Sequence, residues 1–252
     1  MKNVPAMAHA LEISWLGTLP YAAALERQLA AIEERRAGGP DQLLLLEHPA
    51  VVTLGRSSKP ENLLTPRAQL AARGVEVHEI ARGGDVTLHA PGQLVGYLIA
   101  DLAARGARDV SLWLRGIEAS LIEALAELGV PARRVDGMTG VFVADDGDAR
   151  PPEAAAQRAA GERSQCGSPK PRKIASIGVG MKRWITYHGF ALNVSVDLVG
   201  FADIVPCGLG AVTMTSLARE QQRELALGSA AERAYFAHAR GRVAAAFERA
   251  LA

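Results

Sequence analysis

A twelve-residue stretch, RGGDVTLHAPGQ at positions 82–93, constrains the fold more than any other part of this sequence. It contains three glycines and lies between two runs that are typical of strands, Gly74 to Ile80 and Leu94 to Ile99. A phosphate-binding P-loop needs Lys followed by Ser or Thr after its last glycine, whereas Gln-Leu stands there. A dinucleotide fingerprint opens a helix, which the Pro-Gly pair opposes. The stretch therefore predicts a strand, a turn and a second strand, with glycines that let a ligand approach the backbone.

Apolar patterns elsewhere predict strands and helices in an irregular order. Further strands are predicted at Gln42 to Leu46, Val51 to Leu54, Gly140 to Val143, Ile174 to Gly178 and Ala191 to Val196, the third and fourth of these being adjacent. Helices are predicted at Tyr21 to Ala37, at Leu112 to Leu128 with Asp109 or Ser111 as its cap, and at Ala230 to Leu251. This mixture favours an α+β fold with a mixed sheet over a doubly wound parallel sheet.

Charge and cysteine content narrow the class of protein. The formal net charge of +1 over 252 residues gives no general attraction to nucleic acid or to an acidic membrane. No apolar run approaches the roughly 20 residues that span a bilayer, and the first residues lack the apolar core of a signal peptide. Only two cysteines occur, and no histidine has a second metal ligand at a useful spacing. We therefore expect a cytoplasmic protein without a metal site.

Composition changes between Asp145 and Arg172, where Pro, Gly, Ala and charged residues replace any apolar period. We interpret residues 145–172 as a long mobile loop between two strands. A domain boundary is the alternative. With the loop interpretation, residues 1–252 form a single domain.

Four motifs follow one another along the chain, and the third has two parts. They are EHPAVVTLGR at 47–56, RGGDVTLHAPGQLVGY at 82–97, GVFV at 140–143 with RKIASIGVGMKRWITYHGFALNV at 172–194, and FADIVPCGLGAVTMTSL at 201–217. Together they closely resemble the lipoyl(octanoyl) transferase family, the octanoyltransferases of lipoate biosynthesis. The resemblance runs from about residue 42 to residue 217. It departs from the family at residues 145–172, which are longer than the family's usual turn.

The resemblance implies an α+β fold shared with biotin and lipoate protein ligases, in which helices packed on one face flank a mixed sheet. It also implies an acyltransferase without a cofactor. An octanoyl group leaves octanoyl-acyl carrier protein, passes to an enzyme cysteine, and ends as an amide on a lysine of a lipoyl domain. The implied acceptors are the lipoyl domains of 2-oxoacid dehydrogenases and the glycine cleavage H protein.

Cys207 and Lys173 are the candidate catalytic residues that the resemblance implies. Cys207 lies in a Pro-Cys-Gly turn whose backbone N–H groups could face an oxyanion, although a free cysteine is commonly a small buried apolar residue. Lys173 begins a predicted strand. As an ammonium it would lower the pKa of the Cys207 thiol, and as a neutral amine it could accept a proton. The rivals are Cys166, in the polar segment, and the nearby Lys170 and Lys182.

The family's substrate-binding segments match three stretches of this chain. The matching residues are Arg82, Gly83, Gly84, Asp85, Val86, Thr87, Leu88, His89, Ser176, Ile177, Gly178, Gly189, Phe190 and Ala191. Ordinary turn and strand chemistry is the alternative for all three stretches, and Arg82 could instead form a surface ion pair. His188 and Asn193 flank the last stretch. An octanoyl chain needs an apolar slot, which small residues among β-branched ones can form.

Three other functions remain open at this point. An ATP-dependent lipoate or biotin ligase on the same fold needs a nucleotide site but no cysteine. An amidotransferase that moves octanoyl or lipoyl groups between domains differs only in its donor. A non-catalytic acyl-binding module would keep the slot but need neither Cys207 nor Lys173.

Overall fold

The structure is a computed structural model that describes residues 10–144, 170–206 and 212–251. The strands in these ranges are β1 Leu11–Thr18, β2 Asp41–Glu47, β3 Val51–Leu54, β4 Glu76–Glu79, β5 Val86–His89, β6 Gln93–Ile99, β7 Ala132–Arg133, β8 Val141–Val143, β9 Arg172–Lys182, β10 Ile185–Asn193 and β11 Thr213–Met214. The helices are α1 Tyr21–Arg36, α2 Arg67–Ala72, α3 Val110–Glu127, α4 Leu217–Glu220 and α5 Ala230–Leu251, with short 3-10 helices at Pro60–Asn62 and Leu198–Asp203.

The main sheet is mixed, as the sequence predicts. Its order is β1-β2-β6-β10-β9-β8-β7, and β11 pairs with β9. The pairs β1/β2 and β11/β9 are parallel, whereas the others are antiparallel. The predicted adjacency of β8 and β9 is confirmed.

Helices cover both faces of this sheet. Leu43 and Leu45 of β2 pack with α3 and α5, whereas Leu44 and Leu46 pack with α1. Successive side chains of a strand point to opposite faces, so a strand buried on both sides becomes a continuous apolar run. The expectation that the helices pack on one face only is therefore wrong, because α1 lies on the other face.

A second, three-stranded sheet has the order β4-β3-β5. The predicted strand–turn–strand at residues 82–93 is confirmed as β5, a turn and β6, but its two strands belong to different sheets. Gly92 makes the turn possible: its φ is +83°, and a Cβ there would lie 2.7 Å from Val196 N. The glycine-rich stretch thus joins the two sheets.

Most predicted elements occur with shifted ends. Helix α3 is capped by Asp109, whose carboxylate accepts the Leu112 N–H at 3.0 Å, and not by Ser111. Strand β9 is longer than predicted at both ends, and β10 begins at Ile185 and ends at Asn193. Strand β1 was not predicted. No helix in the described ranges is long and apolar enough to cross a bilayer.

Residues 145–169, most of the predicted mobile loop, lie outside the described residues, and Arg172 at its end belongs to β9. The single-domain assignment stays a prediction.

Candidate active site

A cavity of about 200 Å³ opens where the two sheets meet, and we call it the central cavity. Its walls come from the start of α1, the loop before β5, strands β5 and β6, the loop 137–139, and the facing strands β9 and β10. Strand pairing fixes the last wall, because Gly178 opposes Gly189 and Ser176 opposes Ala191. An apolar cavity of about 150 Å³ already holds a benzene molecule. The central cavity therefore has room for a medium-length acyl chain.

Most of the predicted substrate-binding residues meet at this cavity. Those that line it are Arg82, Gly84, Asp85, Thr87, His89, Ser176, Ile177, Gly178, Gly189, Phe190 and Ala191. Val86 and Leu88 do not, because alternate side chains of β5 point into the apolar core of the small sheet. Gly83 does not line it either. Its N–H donates to Val179 O at 2.9 Å and ties the loop to β9.

Arg82 is buried and is not a surface ion-pair residue. Its guanidinium donates to Thr53 O, Thr53 Oγ1 and Gly83 O, each at 3.0 Å. Beside it the backbones of two loops touch, since a Cβ on Gly55 would lie 2.3 Å from Gly84 O. These contacts hold the glycine-rich loop in place.

The two buried histidines of the cavity wall are neutral. Burial lowers the pKa of His89 to about 3, with the nearby His48 as a further cause, and it lowers the pKa of His188 to about 3 with help from Arg82. The Gln93 side-chain carbonyl accepts from His89 Nδ1 at 2.7 Å. In the neutral ring this leaves Nε2 unprotonated. Burial also raises the pKa of Tyr97, whose hydroxyl donates to His48 Nε2 at 2.7 Å.

Lys173 lies fully inside the protein at the start of β9, with 1% of its surface exposed. Its Nζ donates to Thr139 O at 3.1 Å, and Thr139 itself lines the central cavity. Gly140 leaves room for the side chain: at φ +133°, a Cβ there would lie 2.7 Å from Lys173 Cε. Strand geometry and a glycine therefore place the Lys173 side chain against a residue of the cavity wall.

Glu118 organises the loop next to Lys173 and was not singled out from the sequence. This carboxylate is buried on α3 and accepts Gly140 N–H at 3.1 Å. It also accepts from Arg115 at 2.7 Å and from Arg134 at 3.0 Å. An interior charge with this many donors fixes the loop that carries Thr139.

Cys207 and Cys166 lie outside the described residues. The chain on both sides of residues 207–211 borders the site. Val205 N–H donates to Asn62 O at 2.8 Å, and Asn62 in turn donates to the cavity residue Asp85 at 2.5 Å. On the other side, Thr215 N–H donates to Lys173 O at 3.0 Å.

The sequence did not predict every residue of the cavity wall, and it left the role of Asn193 undecided. Tyr21, Tyr97 and the loop 137–139 line the cavity but were not predicted there. Tyr97 shares its strand face with Val95 and Ile99, so the alternation of β6 could have indicated it. No sequence signal marks the loop. Asn193 instead ties β10 to the residue that follows β11, because its amide donates to Thr215 O at 2.9 Å.

Comparison with known proteins identifies the family of this chain. Residues 20–237 match the family described as the lipoyl protein ligase A/B catalytic domain. The chain belongs to this family. Within the lipoyl protein ligase A/B family it is 44% identical over 224 residues to the octanoyltransferase of Acidobacterium capsulatum, covering 86% of this chain and 83% of that protein. It is 45% identical over 208 residues to the octanoyltransferase of Syntrophotalea carbinolica, covering 82% of each. The resemblance to octanoyltransferases is thus confirmed.

Solved structures of lipoate ligases have the same fold. The bipartite lipoate protein ligase of Thermoplasma acidophilum has a TM-score of 0.64 at 15% identity, covering 95% of this chain and 83% of that one. Lipoate-protein ligase A bound with ATP has a TM-score of 0.60 at 16% identity, covering 97% and 86%. The predicted α+β fold of the lipoate ligases is confirmed.

Proposed function

We propose that this protein is an octanoyltransferase that works through a thioester on Cys207. The Cys207 thiolate attacks the thioester carbonyl of octanoyl-acyl carrier protein, and the carrier's thiol leaves. A lysine amine of a lipoyl domain then attacks the new thioester, the Cys207 thiol leaves, and an amide forms. The proposed acceptors are the lipoyl domains of 2-oxoacid dehydrogenases and the glycine cleavage H protein.

The buried Lys173 beside the central cavity is the observation that carries this proposal. A lysine is almost never fully buried unless it is paired, and Lys173 is held by a carbonyl of the cavity loop. A cation at this place would stabilise a thiolate, and a neutral amine there could accept the proton of a thiol or of the incoming lysine. Val205 N–H donates to Asn62 O, and Thr215 N–H donates to Lys173 O. Both support a Cys207 thiol that acts together with Lys173.

The character of the cavity supports an acyl group as its ligand. The His89 and His188 rings are neutral at physiological pH, and the donors described for Arg82 point to Thr53 and Gly83. Phe190 and Ile177 add apolar wall. A saturated chain suits such walls better than a phosphate does. The glycine-rich stretch would thus line an acyl site.

The proposed enzyme is one catalytic domain in the cytoplasm. Only two cysteines occur in 252 residues, which suits a reducing compartment. We assign the catalytic thiol to Cys207 and no role in the chemistry to Cys166.

Transfer without ATP tests the proposal against an ATP-dependent ligase of the same fold. The purified protein is incubated with octanoyl-acyl carrier protein and a lipoyl domain, and the domain is weighed by mass spectrometry. We expect it to gain one octanoyl group without ATP, and we expect Cys207→Ala but not Cys166→Ala to abolish the gain. A requirement for ATP and free octanoate would contradict the proposal.

A further inference from the structure

A second cavity of about 520 Å³ lies on the outer side of the glycine-rich loop, and we call it the outer cavity. It is formed by the end of β3, the loop 55–60, the start of α2 and Ile80. Ile80 lines both cavities. Two backbone hydrogen bonds join their walls: Arg56 N–H donates to Arg82 O and Ser57 N–H to Gly84 O, both at 3.1 Å. The two cavities therefore share one thin wall.

The outer cavity is cationic. Arg56, Lys59 and Arg67 line it, and its carboxylate, Glu79, pairs with Arg67 at 2.7 Å. Arg56 and Lys59 are exposed and form no ion pair with any residue that the structure describes. Two unbalanced cations favour an anionic ligand whose oxygens pair with them.

The rest of the lining limits which anion fits. Leu54, Leu63, Pro60 and Ile80 supply apolar surface, and the described lining contains no aromatic ring. The base of a nucleotide would therefore find no aromatic ring on which to stack. A phosphate joined to a branched aliphatic and amide chain would match both the cations and the apolar surface.

The position of the outer cavity connects it to the proposed chemistry. Leu63 lines the cavity and follows Asn62, whose carbonyl accepts the Val205 N–H at 2.8 Å. Leu63 also forms a β-bridge with Ile204. Pro206 comes next, and the sequence continues with Cys207. A donor arm lying in the outer cavity would begin beside the chain that carries the proposed nucleophile.

We infer that the outer cavity binds the phosphate end of the donor's 4′-phosphopantetheine arm through Arg56 and Lys59, while the acyl group occupies the central cavity. This inference rests on the proposed function, since it assigns the arm of the acyl carrier donor to a site. Arg56 and Lys59 position the donor and do not touch the reacting atoms.

Two thioester donors that differ only in the phosphate test the assignment. Octanoyl-4′-phosphopantetheine and octanoyl-pantetheine are offered to the wild type and to the Arg56→Ala/Lys59→Ala variant, and single-turnover acylation is followed by intact mass. Loss of charge-assisted contacts should raise the half-saturating concentration of the phosphorylated donor roughly 10-fold or more. Octanoyl-pantetheine should react equally with both proteins. The difference should shrink at high salt, because these cations are exposed.

The matched control removes two positive charges elsewhere. Arg36→Ala/Arg249→Ala changes exposed residues of α1 and α5 that line neither cavity. We expect it to behave like the wild type with both donors. A penalty of the same size in this control would show a general charge effect and overturn the inference.

Other outcomes also decide the question. An equal loss of acylation with both small donors in the double variant would overturn the inference. A loss with octanoyl-acyl carrier protein but not with octanoyl-4′-phosphopantetheine would also overturn it, because it would show that the two cations contact the surface of the carrier protein. If no donor acylates the wild type, the proposed function is wrong. In that case, calorimetric binding of 4′-phosphopantetheine tests the outer cavity independently of acylation. Binding to the wild type and not to the double variant supports the site, and equal binding to both or to neither overturns it.

Discussion

Replacing Lys173 by methionine should separate catalysis from stability. The substitution keeps the length of the side chain and removes its charge. Removing a buried charge also removes its desolvation cost, which is several kcal/mol per ion in proteins. The Thr139 carbonyl loses a donor at 3.1 Å, which costs about 1–3 kcal/mol if no water replaces it. The two effects oppose each other, so the net change should stay within about 3 kcal/mol, or roughly 10 °C in Tm for a chain of this size.

Activity should respond very differently from stability. Loss of the group that activates the thiol should slow acylation by about 10²- to 10⁴-fold. Calorimetry gives Tm, and single-turnover mass spectrometry with octanoyl-acyl carrier protein gives the rate. Lys182→Met, at the exposed other end of β9, is the matched control and should leave both values unchanged. A folded Lys173→Met protein that is acylated at the wild-type rate would refute the assignment.

Arginine at this position distinguishes the two roles of Lys173. Guanidinium keeps the positive charge but does not release a proton in proteins. Recovery of most activity in Lys173→Arg would indicate that charge stabilises the thiolate, whereas continued loss would indicate proton transfer.

Three further changes have expected results. Gly96→Ala would place a Cβ 2.2 Å from the Phe190 ring and should lower stability by about 1–3 kcal/mol in a thermal melt. The control Gly116→Ala, on an exposed turn of α3, should raise stability by about 1 kcal/mol. Equal effects of the two changes would contradict the close packing of Phe190 on Gly96. Because His188 has a folded pKa of about 3, its contribution to stability is present above about pH 6.5 and is lost as pH falls toward 3, by up to about 1.4 kcal/mol per pH unit. Denaturant unfolding of His188→Gln at a series of pH values should show that the free energy of unfolding falls less steeply with falling pH than in the wild type. An equally steep fall in both proteins would refute this cause. Replacing residues 145–169 by a short turn should leave acylation by the donor largely intact, and its loss in a cooperatively folded variant would contradict our interpretation.

Sequence patterns predicted where the strands and helices lie along the chain better than they predicted which face of the sheet each helix packs against. The leucines of β2 and the alternation in β5 depend on short-range periods, and these were sufficient to place the elements. Strand β1 was missed because LEISWLGT lies on an edge with only partial burial. The position of α1 on the opposite face from α3 follows from which side chains of β2 meet which helix, and that depends on tertiary packing.

The residues of the site also fall into those that local patterns indicate and those that only tertiary contacts bring in. Motifs indicated His89, Lys173 and the strands around Gly178, since each lies in a recognisable local pattern. Glu118 acts through Gly140 across a loop, and Tyr21 reaches the cavity from the first turn of a helix. Such contacts join residues far apart in sequence, so no local pattern records them.

The position of the acyl group after the first half-reaction tests the central claim most directly. The wild-type protein is mixed with octanoyl-acyl carrier protein, without a lipoyl domain, and is weighed intact and after proteolysis. We predict one octanoyl group, on the peptide containing Cys207, removable by hydroxylamine and transferred when a lipoyl domain is added. An octanoyl group on Cys166, or a lipoyl domain that is octanoylated by a protein lacking the Cys207 thiol, would contradict the account.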